Sequence, residues 1–106
     1  GTRYDLPPKY QLDCHQGVKG ASASYSRIVA DEPAPTLTTR CTTPACGQFI
    51  HPTEHRAITL REAALLQTFP PSYRFIGTYG EIERQIGNAV PVRMACALGI
   101  IAKGML

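Results

Sequence analysis

Four residues with soft-metal chemistry, Cys41, Cys46, His51 and His55, follow one another as Cys-x4-Cys-x4-His-x3-His. A zinc finger of the two-cysteine, two-histidine kind needs about twelve residues between its second cysteine and first histidine, to hold a strand and a helix. Only four are present, so these side chains read as structural and no metal site is assigned. Cys14 and His15 pair a thiol with a base. Neighbours along an extended chain point to opposite faces, however, so adjacency does not make them a nucleophile and its base. Glu81 and Glu83 diverge on a helix, and Asp31-Glu32 reads as a solvated turn. No Gly-x4-Gly-Lys-Ser/Thr loop and no Gly-x-Gly-x-x-Gly turn after a strand is present to cradle phosphate. No catalytic residue is assigned.

The 106 residues carry 11 Lys and Arg against 8 Asp and Glu, a formal charge of +3, and are 43% apolar. A chain of this length buries roughly 65% of its unfolded surface, enough for one modest core but not for a large cofactor cleft beside a substrate cleft. That argues against a complete two-substrate enzyme. The positive residues are dispersed, so charge alone does not indicate a polyanionic partner. The four cysteines are too few and too irregular for a disulfide framework. With no run of 18 apolar residues and no hydrophobic core after Gly1, the expectation is a soluble, cytoplasmic protein with no membrane partner.

Composition changes near residue 56. Residues 1–55 hold six of the nine prolines and show no sustained helical period, so they read as loops joined by short strands. Residues 4–10, with Pro7-Pro8, are expected to be extended, and segment 16–24 to be a loop of small residues. Alternation suggests strands at 25–30 and 35–40, with another short one at 74–76.

The second half is more regular. Thr59 and Glu62 fit a capping box, so a helix is expected from about 60 to 67, stopping before Phe69-Pro70-Pro71 because proline disfavours a helical residue before it. Thr78 and Glu81 repeat the signature for a helix from about 79 to 86, which Gly87 is placed to end. Pro91 opens a third helix, to about 103, that is apolar almost all round and should be buried on more than one side. Full burial of such a helix in a short chain calls for a covering surface from elsewhere.

Two strings then stand out: Arg61-Glu62-Ala63-Ala64-Leu65-Leu66-Gln67-Thr68-Phe69-Pro70 and Gln85-Ile86-Gly87-Asn88-Ala89-Val90-Pro91. Together they resemble the last two motifs of the DNA (cytosine-5) methyltransferases. Pro35-Thr36-Leu37-Thr38 and Phe49-Ile50-His51-Pro52 are similar to the end of the target-recognition region that precedes those motifs. The resemblance implies that residues 1–55 close the recognition region and that 56–106 are a helical segment completing a methyltransferase α/β domain. The fold class expected is α+β, with short antiparallel strands in the N-terminal half and three helices in the C-terminal half.

It further implies that Asn88, Ala89 and Val90 line the amino-acid end of S-adenosylmethionine in the complete enzyme. Thr36, with Arg40 and Arg27, is expected to contact double-stranded DNA, a threonine supplying a short donor and an arginine a bidentate fork. Arg61 and Glu62 are expected to be structural. Family members attack a flipped cytosine with the cysteine of a Pro-Cys step and steady the ring with the glutamate of a Glu-Asn-Val step. Here the cysteines follow Asp13, Arg40, Ala45 and Ala95, and no Glu-Asn pair occurs. The leading expectation is therefore a C-terminal portion or small subunit of such an enzyme, working with a catalytic subunit or missing N-terminal portion. The alternative is a stand-alone DNA-binding or structural module that self-associates over its apolar helix.

Overall fold

Three helices carry the C-terminal half: α1 (Leu60–Leu66), α2 (Tyr79–Asn88) and α3 (Val92–Gly104). The computed structural model describes residues 1–18, 20 and 22–106. The small-residue loop expected at 16–24 thus lies partly outside the described residues.

α1 starts where the capping box requires. The Glu62 amide donates to the Thr59 hydroxyl at 3.2 Å, and the Glu62 carboxylate accepts from the Thr59 amide at 2.7 Å. Arg56 adds a fork, donating from Nη1 and Nη2 to the same carboxylate at 2.8 and 2.7 Å. The Arg56 bonds, and then those from Thr59, hold the Glu62 carboxyl down at about 2. A folded-state value below the ordinary 4.5 makes this stabilisation complete above pH 4.5 and lost as pH falls toward 2. Glu62→Gln keeps an acceptor for the Thr59 amide but loses the charge that Arg56 grips. It is accordingly expected to lower the melting temperature at pH 7 by about 2–5 °C, the size of one exposed ion pair in a small domain, and to change little at pH 2. Thermal melts at the two pH values check it.

α1 and α2 pack on each other, and the core lies under them. It joins Ile28, Leu37, Cys41 and Phe49 from the N-terminal half to Ile58, Ala63, Ala64 and Ile86 from the other, so the compositional break at residue 56 runs through a shared core. Cys41 is fully buried there, and burial, with the Glu83 charge second, pushes its thiol up to about 11. Cys14, Cys46 and Cys96 are exposed. Iodoacetamide at pH 8 is expected to modify those three in the folded chain and to reach Cys41 only after denaturation, as read by mass spectrometry.

The N-terminal half departs from expectation. Residues 4–10 are not extended throughout: short 3-10 turns form at Arg3–Asp5 and Pro8–Tyr10, the second because Pro8 supplies a preset φ at the first position of the turn. Among the described residues no strand forms. Arg27 bridges Ile50 in parallel sense and Ile50 bridges Ala57 in antiparallel sense, each as an isolated pair. Pro33 and Pro35 have no amide to donate to a ladder, and the backbone of Thr38 and Thr39 lies against α2. Residues 74–76 are irregular.

α2 also differs, continuing through Gly87 to Asn88. Gly87 is therefore not a helix stop. α3 has the expected length, but from Arg93 onward every residue is exposed, with Met94, Ile100 and Ile101 at 56, 75 and 60%. It packs on neither other helix. The radius of gyration is 16.4 Å, against about 13 Å for a compact chain of this length. No single helix among the described residues is long and apolar enough to cross a membrane.

Candidate functional site

The site forms where the segment after Pro35 meets the α1 end and the α2–α3 link. A cleft of about 330 Å3 is lined by Ala34, Pro35, Thr36 and Leu37 on one side and by Leu66, Gln67, Gly87, Ala89 and Pro91 on the other. Of the residues singled out in the sequence, Thr36 and Ala89 are thus brought to one cleft. Asn88 and Val90 flank Ala89 and are exposed. Asn88 belongs to the last turn of α2 and not to the link, and its carboxamide has no hydrogen-bond partner among the described residues.

Gly87 allows the walls to meet. A Cβ at this position would stand 2.0 Å from the Thr38 carbonyl oxygen and 2.7 Å from the Thr39 Cα. Both are backbone atoms, so they cannot swing aside, and only glycine permits the approach.

Gln67 holds the second wall. It caps α1 and is 7% exposed. Its Nε2 donates to the carbonyls of Ile86 at 2.9 Å and Ala89 at 3.0 Å. Both partners are acceptors only, which sets the orientation of the amide. The Gln67 carbonyl in turn accepts from the Val92 amide at 3.1 Å. One residue therefore binds the chain on both sides of the α2–α3 link.

A second polar knot anchors the segment beyond Thr39. Glu83 is buried on α2, and its carboxylate accepts from the Thr42 amide at 2.9 Å and from the Thr42 hydroxyl. The Tyr79 hydroxyl donates to Thr42 Oγ1 at 2.9 Å. Burying a carboxylate is costly unless it is hydrogen-bonded, and these partners meet that requirement. Sequence reasoning passed over Gln67 and Glu83 as functional supports. The signal was a polar residue at a buried helical position: Gln67 lies four after Ala63, and Glu83 three before Ile86.

Arg40 is exposed and forms no ion pair among the described residues. Arg27 lies elsewhere, in a depression with Tyr25, His55 and Arg56. Its guanidinium donates to the carbonyls of His51 and Glu54, the latter at 2.7 Å, and stands 3.2 Å from His55 Nδ1. It organises the loop 51–55. In the same loop His51 Nδ1 accepts from the amides of Thr53 at 3.3 Å and Glu54 at 3.1 Å. Arg61 donates to the Tyr73 carbonyl at 3.0 Å. No group of three or more His, Cys, Asp or Glu comes together among the described residues to hold a metal.

In this arrangement a cleft and two polar knots present a short link between helices. The model of the C-5 cytosine-specific DNA methylase family matches residues 4–102, and the chain belongs to that family. It is 47% identical to the type II methylase M.HgiDII of Herpetosiphon aurantiacus, over 99% of this chain and 30% of the relative. With the type II methyltransferase M.PspPI of Psychrobacter sp. (strain TA137) it shares 48% identity over 76% of this chain and 19% of the relative. DNA (cytosine-5)-methyltransferase 1 of Mus musculus is 47% identical over 54% of this chain and 4% of its own length. The chain spans less than a third of the length of these relatives.

Proposed function

We propose that this chain is the closing, C-terminal portion of a DNA (cytosine-5) methyltransferase, as a fragment or a small subunit, supplying one wall of the cofactor site and part of the DNA-facing surface. The cleft that brings Thr36 beside Gly87 and Ala89 carries this reading. The family draws its methyl group from S-adenosylmethionine, which when bound supplies an activated methyl. Asn88, exposed with its carboxamide uncommitted, suits the amino-acid end of such a ligand, since it can both donate and accept. Ala89 and Val90 add short apolar contacts. Gly87 and Gln67 keep this wall in register with the Thr36 segment.

Thr36 and Arg40 are assigned to double-stranded DNA, and Arg27 enters as the residue that holds the loop 51–55. An arginine neutralising one phosphate contributes about one unit to the slope of log affinity against log salt. With the chain joined to its catalytic portion, Arg40→Ala is expected to reduce that slope by about one and to weaken binding alike across DNA sequences. An unchanged slope argues against the assignment.

The exposed apolar α3 supports the partner requirement. On this reading it completes an α/β cofactor domain whose strands and nucleophile come from the catalytic portion, giving the α+β architecture its missing sheet. The same helix favours the second reading, self-association of a stand-alone module. Light scattering separates them: a dimer that persists when the catalytic portion is added supports the second.

A further inference from the structure

Thr68 occupies the left-handed region at φ 61°, where glycine is the usual resident and a β-branched residue is an outlier. The turn itself explains why some residue must be left-handed there. The Thr68 amide donates to the Leu65 carbonyl at 2.9 Å, and the Phe69 amide reaches back to Ala64 at 3.0 Å. That bond pair defines a Schellman termination of α1. Phe69 is then anchored against Tyr73 and Phe75, with ring centroids 4.9 and 5.0 Å away. The turn thus ends α1 ahead of the prolines, but it does not explain a threonine where glycine suits the backbone better.

The explanation lies at the start of α3. Pro91 precedes that helix and has no side-chain oxygen to cap it, so the first amides must find acceptors elsewhere. The Val92 amide donates to the Gln67 carbonyl at 3.1 Å, and the Arg93 amide donates to Thr68 Oγ1 at 3.0 Å. A hydroxyl from outside the helix does the work of an N-cap serine or threonine. The left-handed backbone at residue 68 ends α1 and offers that hydroxyl to α3 in the same step.

We propose that Thr68 is a positioning residue. Its hydroxyl caps α3 from outside, and together with Gln67 it fixes the direction of α3 and the setting of the Ala89–Val90 link. The consequence for the cofactor rests on the reading of residues 88–90 given above, whereas the cap stands on geometry alone.

Three variants separate backbone from hydroxyl. Thr68→Val keeps the shape and loses the acceptor, Thr68→Ser keeps the acceptor, and Thr68→Gly relaxes the left-handed backbone but has no hydroxyl. Hydrogen exchange at the Arg93 amide, measured by NMR on this chain, needs no cofactor. Exchange is expected to quicken about fivefold in Thr68→Val and Thr68→Gly and to stay at the wild-type rate in Thr68→Ser. Wild-type protection of Arg93 in both the valine and glycine variants overturns the proposal, and should the valine variant fail to fold, serine against glycine decides it.

The kinetic readout uses the chain joined to its catalytic portion. KM for S-adenosylmethionine is expected to rise about fivefold in Thr68→Val, with kcat nearly unchanged and with full recovery in Thr68→Ser. A KM that ignores Thr68→Val in an enzyme that binds the cofactor overturns the positioning role. A wild-type complex with no affinity for S-adenosylmethionine instead counts against the cofactor reading, and the Arg93 exchange rates still decide the cap.

Discussion

Gly87→Ala is expected to lower the melting temperature of the chain by about 8–16 °C, the shift that a net loss of roughly 2 kcal/mol causes in a small domain. Two effects of opposite sign compete. Gly87 lies inside α2, and alanine in a helix interior is favoured over glycine by about 1 kcal/mol. Against that gain stands a methyl group 2.0 Å from the Thr38 carbonyl oxygen and 2.7 Å from the Thr39 Cα. Neither backbone atom can rotate away, so α2 and the Thr36–Thr39 segment must part. Overpacking against a rigid neighbour reaches or exceeds about 3 kcal/mol, and the clash outweighs the helical preference. Separation of the walls also opens the cleft shared by Thr36 and Ala89, so cofactor and DNA binding are expected to fall together. A variant that melts at or above the wild-type temperature contradicts the close approach.

Gln67→Glu is the second large effect. The substitution preserves shape but turns a buried donor into an acceptor facing the carbonyls of Ile86 and Ala89, which lie 2.9 and 3.0 Å from Nε2 in the wild-type chain. Gln67→Leu merely removes the donor and is expected to cost about 1–3 kcal/mol, the penalty for leaving a buried acceptor unmet. Gln67→Glu should cost more, because a buried charge against two carbonyl dipoles adds desolvation and repulsion. Burial raises the pKa of the introduced carboxyl, and protonation restores a donor. Its destabilisation is therefore greatest at neutral pH and eases as pH falls, while that of Gln67→Leu is flat. Parallel melts of both variants from pH 8 to pH 5 check the ordering and the slope. Equal costs at pH 7 would place the Gln67 side chain outside the link.

What could be read from the sequence was local. The capping boxes of Thr59 with Glu62 and Thr78 with Glu81 lie three residues apart, and the starts of α1 and α2 follow from them. Pro91 likewise announces α3. The ends of the helices were harder, because they depend on distant partners. Gly87 looked like a terminator by residue type, yet its role is set by a backbone nearly fifty positions earlier in the chain. Thr68 ends α1 in a conformation its side chain disfavours, for the sake of an amide in α3. The expected strands, none of which forms among the described residues, met a related difficulty. Alternation at 25–30 and 35–40 describes which faces could be buried but not who pairs with whom: Arg27 bridges Ile50 as an isolated pair, and the Thr38–Thr39 backbone lies against Gly87 of α2.

The candidate site follows the same division. The strings around Gln67 and Asn88 were legible as motifs, and the family match over residues 4–102 agrees with the resemblance they carry. Their mutual arrangement was not legible, since nothing in the spacing tells that the Gln67 side chain spans to Ile86 and Ala89. Arg27 shows the limit of residue type as a guide: a cation suited to phosphate proves committed to the carbonyls of His51 and Glu54. The apolar character of α3, nearly all round, was plain, but the surface that would cover it is not among the described residues.

Methyl transfer from labelled S-adenosylmethionine to cytosine in double-stranded DNA tests the central claim most directly. It is measured with this chain alone, with the catalytic portion alone, and with the two combined. Transfer is expected only in the combination, and Gly87→Ala is expected to abolish it. Robust methylation by this chain alone would contradict the proposal that it is the closing portion of such an enzyme.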